Sequence, residues 1–174
     1  MKRRTSLGLL GQAGLASLAT LALAGCGFKL RGSQNYPFQT LAILPNPGGP
    51  LAIELRRSFG SSVRVLAPDA PPAQAQVVLE LLRDQREKTV VGVNSSGQVR
   101  EFQLRIRVEF RIYTPQGQEL APIAEIVQQR DISFNESAAL AKEAEEGLLY
   151  RDMQTDIVQQ LMRRLAAISH AARP

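Results

Sequence analysis

The sequence predicts an α+β fold, with two helices packed on one face of a four- to five-stranded, mainly antiparallel sheet. Three observations predict it. From Val99 to Tyr113, Phe102, Leu104, Ile106, Val108, Phe110 and Ile112 alternate strictly with Glu101, Gln103, Arg105, Arg107, Glu109, Arg111 and Tyr113. Successive strand side chains point to opposite faces, so this is one long strand, apolar on one side and charged on the other. Turn-forming clusters, Asn94-Ser95-Ser96-Gly97-Gln98 and Thr114-Pro115-Gln116-Gly117, bracket it, which places a further strand on each side. Two other stretches repeat apolar residues at helical spacing, and laying both on the apolar side of the sheet buries all three surfaces. The other face of the sheet is then left polar.

Taken in order, the chain opens with Lys2, Arg3 and Arg4, an apolar run from Leu7 to Ala24, and Leu23-Ala24-Gly25-Cys26. A basic start, an apolar centre and small residues before a cleavage point describe a signal peptide over residues 1–25. Gly8, Gly11 and Gly14 in a short run argue against a membrane span. Arg3-Arg4 reads as an ordinary basic start rather than a twin-arginine signal. Leu-Ala-Gly-Cys is similar to the bacterial lipobox, which implies cleavage before Cys26 and acylation of its thiol and amine. More than one acyl chain makes such an anchor stable, since each buried methylene contributes ~0.8 kcal/mol. Gly27, where an inner-membrane retention signal would place Asp, implies the outer membrane by the same resemblance.

Residues 26–38 read as an acylated tether, 39–170 as a single α+β domain, and 171–174 as a tail. Thr40–Leu44 is a short buried strand closed by Pro45-Asn46-Pro47-Gly48-Gly49. Pro50 suits a first helical position, and Leu51, Leu55 and Phe59 mark a helix stopped by Gly60, with Arg56 and Arg57 near its end. Ser62 to Leu66 is a short strand before the Pro68-Asp69-Ala70-Pro71-Pro72 loop. Gln76 to Val93 is the second long strand, with Val77, Leu79 and Leu81 on one face and a charged patch of Arg83, Asp84, Arg86, Glu87 and Lys88 beyond. Ile123 to Phe134 alternates less regularly, as an edge strand does. Asn135 is a good helix N-cap with Glu136 behind it. A long helical stripe then runs through Leu140, Ala144, Leu148, Tyr150, Met153, Ile157, Leu161, Leu165 and Ile168.

Composition excludes several functions. Aromatic residues are 5% with no Trp, too few for base- or sugar-stacking platforms. Removing Lys2, Arg3 and Arg4 from 21 basic residues leaves 18 against 16 acidic, a balance of +2, which does not describe a nucleic-acid binder. The single cysteine, Cys26, and the single histidine, His170, leave no cysteine metal site and no well-placed Ser-His-Asp or Cys-His set. No cofactor, metal or enzymatic activity is indicated.

Three stretches then point one way. Cys26-Gly27-Phe28-Lys29-Leu30-Arg31-Gly32 resembles the mature start of the LPS-assembly lipoprotein family, LptE. Gly97-Gln98 with Glu101-Phe102-Gln103 resembles its central hairpin, and Ala139-Leu140-Ala141-Lys142-Glu143 with Gln160-Leu161-Met162-Arg163-Arg164-Leu165 resembles its closing helix. The resemblance implies an outer-membrane lipoprotein that sits as a plug in a large β-barrel, LptD, and helps that barrel fold and deliver lipopolysaccharide to the outer leaflet. It also implies lipopolysaccharide contact through basic residues around the hairpin tip, where this chain instead has Asn94 and Ser95. The candidate contact residues for barrel or lipid are Arg83, Arg86, Lys88, Asn94, Ser95, Arg105, Arg107 and Arg111, the arginines because their planar fork suits phosphate. The same arginines are set to pair across strands with Glu101, Glu109, Asp84 and Glu87. The alternative reading is an auxiliary lipoprotein of a periplasmic lipid-transport or secretion complex.

Overall fold

The computed structural model describes residues 34–45 and 48–168. The signal peptide, Cys26 and most of the tether, and His170 with the tail, lie outside the described residues. Among the described residues there are five strands: β1 (Thr40–Leu44), β2 (Arg64–Val65), β3 (Val77–Val93), β4 (Val99–Tyr113) and β5 (Glu119–Ser133). The same residues include two α-helices, α1 (Pro50–Ser58) and α2 (Ala139–Ala167), with short 3-10 turns at Pro72–Gln74 and Glu136–Ala138.

The α+β class holds, but the sheet is mixed rather than mainly antiparallel. Its order is β2-β1-β3-β4-β5. β1 runs parallel to both β2 and β3, while β3, β4 and β5 form an antiparallel meander. The chain leaves β1 through α1 and returns through β2 and the 66–76 loop to start β3 beside β1. Parallel neighbours need a crossover of this kind. β1 also has the composition of a strand covered on both sides, with Leu41, Ala42 and Ile43 all buried.

The core joins Leu104, Ile106, Val108, Phe110 and Ile112 of β4 to Leu51 and Leu55 of α1 and to Met153, Ile157, Leu161 and Leu165 of α2. Alternate residues of β1 and β3 face the other way, and there the sheet is not wholly polar. Ala42 and Val78 meet Leu66 and Ala75 in a second, smaller apolar cluster. The long helical stripe is core only in its later part. Leu140 and Leu148 stand exposed, because a helix that turns Tyr150, Met153 and Ile157 toward the sheet carries Leu148 to its far side and Leu140 to its flank.

The local signals are obeyed closely. Pro50 opens α1 and Gly60 follows it at φ +52°, a left-handed conformation that glycine adopts without steric cost. Asn135 caps the 3-10 turn leading into α2, its side-chain oxygen accepting from the Ser137 backbone N–H.

Candidate functional site

The β3–β4 hairpin rises well past β1. At ~3.3 Å per residue its 17-residue strand β3 extends roughly 55 Å. Asn94 builds its tip. The Asn94 Oδ1 accepts from the backbone N–H groups of Ser96 and Gln98 at 3.0 and 2.9 Å, and its Nδ2 donates to Gln98 Oε1 at 2.8 Å. Gly97 supplies the φ of +79° that closes the turn. Asn94 is therefore committed to the turn itself, whereas Ser95 is exposed at the apex.

Pairing within the hairpin decides which face each candidate occupies. Leu81 pairs with Phe110 and Arg83 with Glu109, so Leu82 is an extra residue, a β-bulge. A bulge reverses the parity of everything after it. Odd-numbered Val77, Leu79 and Leu81 face the core, but beyond Leu82 it is Asp84, Arg86 and Lys88 that share a face with Val108, Ile106 and Leu104. The charged patch read as one surface is split in two.

Arg83 joins Arg105, Arg107 and Arg111 on the open face. Each of these four is matched to a carboxylate: Arg83 to Glu109 at 3.9 Å, Arg105 to Glu87 at 3.7 Å, Arg107 to Glu125 at 3.2 Å and Arg111 to Glu80 at 2.7 Å. The expected partners Glu87 and Glu109 are used, and Asp84, turned to the other face, is not. The hydrogen bond that Arg111 donates to Glu80 holds its guanidinium above its usual pKa, and burial followed by the Glu80 charge raises the Tyr113 phenol. The open face is thus a lattice of cross-braced charges.

Arg86 and Lys88 do different work. Lys88 Nζ meets Glu146 of α2 at 2.6 Å and lies 4.3 Å from the Phe102 ring centroid. The Arg86 guanidinium lies 5.3 Å from the Tyr150 ring centroid and donates to Gln154 Oε1. Gln154 donates in turn to Glu54 of α1, as does Thr155. These residues fasten α2 and α1 to the hairpin. They are not part of the open face, and a sequence without its bulge in view had no means to separate them from Arg83.

A groove of about 300 Å³ lies where the hairpin meets the start of α2, lined by Lys88, Phe102, Phe134, Lys142 and Glu146 among others. Among the described residues there is no cluster of three or more His, Cys, Asp or Glu arranged to hold a metal ion. No helix among them is long and apolar enough to cross a membrane.

Fold and face together define a class: an α+β domain whose long antiparallel meander carries a cross-braced, charge-matched surface that the other described residues leave open. The family model for LptE, described as lipopolysaccharide-assembly, matches residues 38–165. The chain is similar to the LPS-assembly lipoprotein LptE of Yersinia enterocolitica, at 33% identity over 161 residues, covering 91% of this chain and 76% of that protein. The corresponding protein of Pectobacterium atrosepticum is 31% identical over 155 residues, covering 87% and 83%. Among solved structures, a solution structure of an uncharacterized lipoprotein B from Nitrosomonas europaea matches with a TM-score of 0.70 at 34% identity, covering 84% of this chain and 94% of that one. The rare lipoprotein B of Shewanella oneidensis follows at 0.62 and 26% identity, covering 74% and 95%. The chain belongs to the LptE family.

Proposed function

We propose that this chain is a non-enzymatic outer-membrane lipoprotein, anchored through acylated Cys26. In this reading it plugs and helps assemble the β-barrel that inserts lipopolysaccharide into the outer leaflet. Family membership supports the lipopolysaccharide-assembly role. The observation that carries the plug reading is the open face of β3, β4 and β5. It is broad, polar and held rigid by four arginine–carboxylate pairs, which suits a charge-complementary protein wall that selects one partner. An anionic lipid would have to displace a carboxylate from each arginine, so these residues serve the barrel rather than lipopolysaccharide. The partner is accordingly an LptD-like barrel, and the chain sits on the periplasmic side of the outer membrane.

The test is a pull-down of the tagged, lipidated protein from detergent-solubilised envelopes, with mass spectrometry of the retained proteins. One large β-barrel in near one-to-one yield is the expected result. Elution as a homo-oligomer, or with an inner-membrane transporter, would overturn the reading.

A further inference from the structure

Strand β5 closes one side of the sheet, and its outer edge is open. β4 is its one strand neighbour, and among the described residues no backbone hydrogen bond reaches its outer side. Which groups face outward follows from one bond. The Phe134 backbone N–H donates to the Arg100 carbonyl at 2.7 Å, in the register that pairs Glu101 with Ser133 and Phe102 with Ile132. In an antiparallel pair, hydrogen-bonded and non-hydrogen-bonded positions alternate. The even-numbered residues of β5 therefore spend their N–H and C=O groups on β4. Those of Glu125, Val127, Gln129, Asp131 and Ser133 point away from the sheet. The Gln129 carbonyl agrees with this: its acceptor is taken by the Arg130 guanidinium, at 2.8 Å, rather than by β4.

A long, regular, exposed strand edge is a template for another strand, and proteins ordinarily blunt such edges with prolines, bulges or inward charges. Here the proline and the irregularity lie at the beginning, while farther along Arg130 covers the Gln129 carbonyl. Pro122 and the irregular pairing between Phe110 and Tyr113 occupy the first turns of β5. From Ala124 to Ser133 the pairing is unbroken, about 30 Å of edge at ~3.3 Å per residue. All five outward-pointing residues are exposed.

We infer that the β5 edge from Glu125 to Ser133 receives an extended strand of a different polypeptide, which adds to the sheet through main-chain hydrogen bonds. β-Strand addition of this kind takes its affinity from the backbone and its selectivity from alternate side chains. The side chains alternating with the open edge include no cation; Glu125 is already paired with Arg107, whereas Asp131 accepts from the neutral Gln103 amide at 3.1 Å, so the incoming strand presents a Lys, Arg or amide donor opposite Asp131. A second copy of this chain is the poorer occupant. Pairing β5 with itself along the whole edge, about Gln129, sets Val127 against Asp131 and Glu125 against Ser133 and supplies no cation to either acid. The inference rests on the barrel reading only for which chain supplies the strand.

The experiment places a photo-crosslinking amino acid at position 127 or 129 of the full-length lipidated protein in cells, and pairs it with Val127→Pro and Val127→Thr variants in the envelope pull-down. Proline removes one outward N–H and leaves the β4 ladder intact; threonine keeps the N–H. The expected result is crosslinking to another envelope polypeptide, with recovery of that partner falling at least tenfold in Val127→Pro and staying within twofold in Val127→Thr. Amide exchange on the unsubstituted protein gives a readout free of folding effects. The Val127, Gln129 and Asp131 amides should exchange rapidly in the free chain and at least a hundredfold more slowly in the complex. Unprotected odd-numbered amides in a complex that still retains a barrel would overturn the strand and leave the plug reading standing. Crosslinks to a second copy of this chain would also overturn it. Edge crosslinks to a polypeptide that is not a barrel would uphold the strand while removing the plug.

Discussion

The Tyr150 hydroxyl donates to the Glu87 carbonyl at 2.8 Å, so a single side chain of α2 is tied to the backbone of β3. Its ring lies beneath Arg86, and the phenol is only partly buried. Burial, and then the Glu146 carboxylate, raise its pKa above the usual 10. Because the folded value lies above the unfolded one, the neutral phenol's contribution is complete below about pH 10 and is lost as pH rises through the folded value. Tyr150→Phe keeps the ring and deletes the hydrogen bond, which costs about 1 kcal/mol at pH 7. The same variant should lose stability less steeply than the parent does as pH rises above about 10. Denaturant unfolding followed by circular dichroism across that range checks both statements. Tyr36 and Tyr113 are also raised by burial, so the alkaline slope is reduced rather than abolished. An equal slope in the two proteins would contradict the role given to Tyr150.

At the scale of elements, the extra residue at Leu82 decides how β3 works. Deleting Leu82 leaves Leu81 opposite Phe110 and Arg83 opposite Glu109, so both faces keep their residues and the protein should fold with a modest loss. Deleting Gln85 instead turns Arg86 and Lys88 onto the open face, opposite Arg107 and Arg105. That removes the Lys88–Glu146 and Arg86–Gln154 contacts and the Tyr150 bond, each worth ~0.5–1.5 kcal/mol, and it sets like charges across the ladder. Thermal unfolding should show the Gln85 deletion as the more destabilised of the two by roughly 2–4 kcal/mol, as the sum of those contacts. The bulge also marks where sequence reading ended. The alternation in β4 revealed its two faces, and Gly97, Gly117 and Gly60 stand at the turns and helix end their composition indicated. Pro50 likewise opens α1 where its position suggested. Face assignment by parity works until a residue is left unpaired, and only the partner strand shows that Leu82 is such a residue. The parallel pairing of β1 is illegible in the sequence for a similar reason: alternation within TLAIL carries no information about which strand lies beside it. Leu148 and Tyr150 are two residues apart and so lie on opposite sides of the helix; the stripe breaks there, and Leu140 and Leu148 stay outside the core.

For the molecule as a whole, the open face can be tested apart from the stability it provides. Arg107 and Glu125 are paired at 3.2 Å, with 32% and 40% of their side-chain surfaces exposed; pairs this accessible contribute only ~0.2–1 kcal/mol. Arg107→Glu alone sets two carboxylates together and should cost about 1 kcal/mol by the same measure. Combining it with Glu125→Arg restores the pair in reversed order, so the doubly substituted protein should melt within a degree or two of the parent, a shift that ~0.3 kcal/mol would give. A face that only braces the sheet would be satisfied by this exchange, and recovery of the partner in the pull-down would return with the stability. A face matched to a charged wall sees its pattern inverted at two positions. Partner recovery should then remain at least tenfold below that of the parent although the fold is whole, because like charges brought together at an interface cost several kcal/mol and determine which partner is refused. Raising the salt concentration should narrow the difference, since screening at 1 M reaches within ~3 Å. Full recovery of the partner by the exchanged pair at low salt would make the Arg107–Glu125 pair a brace alone.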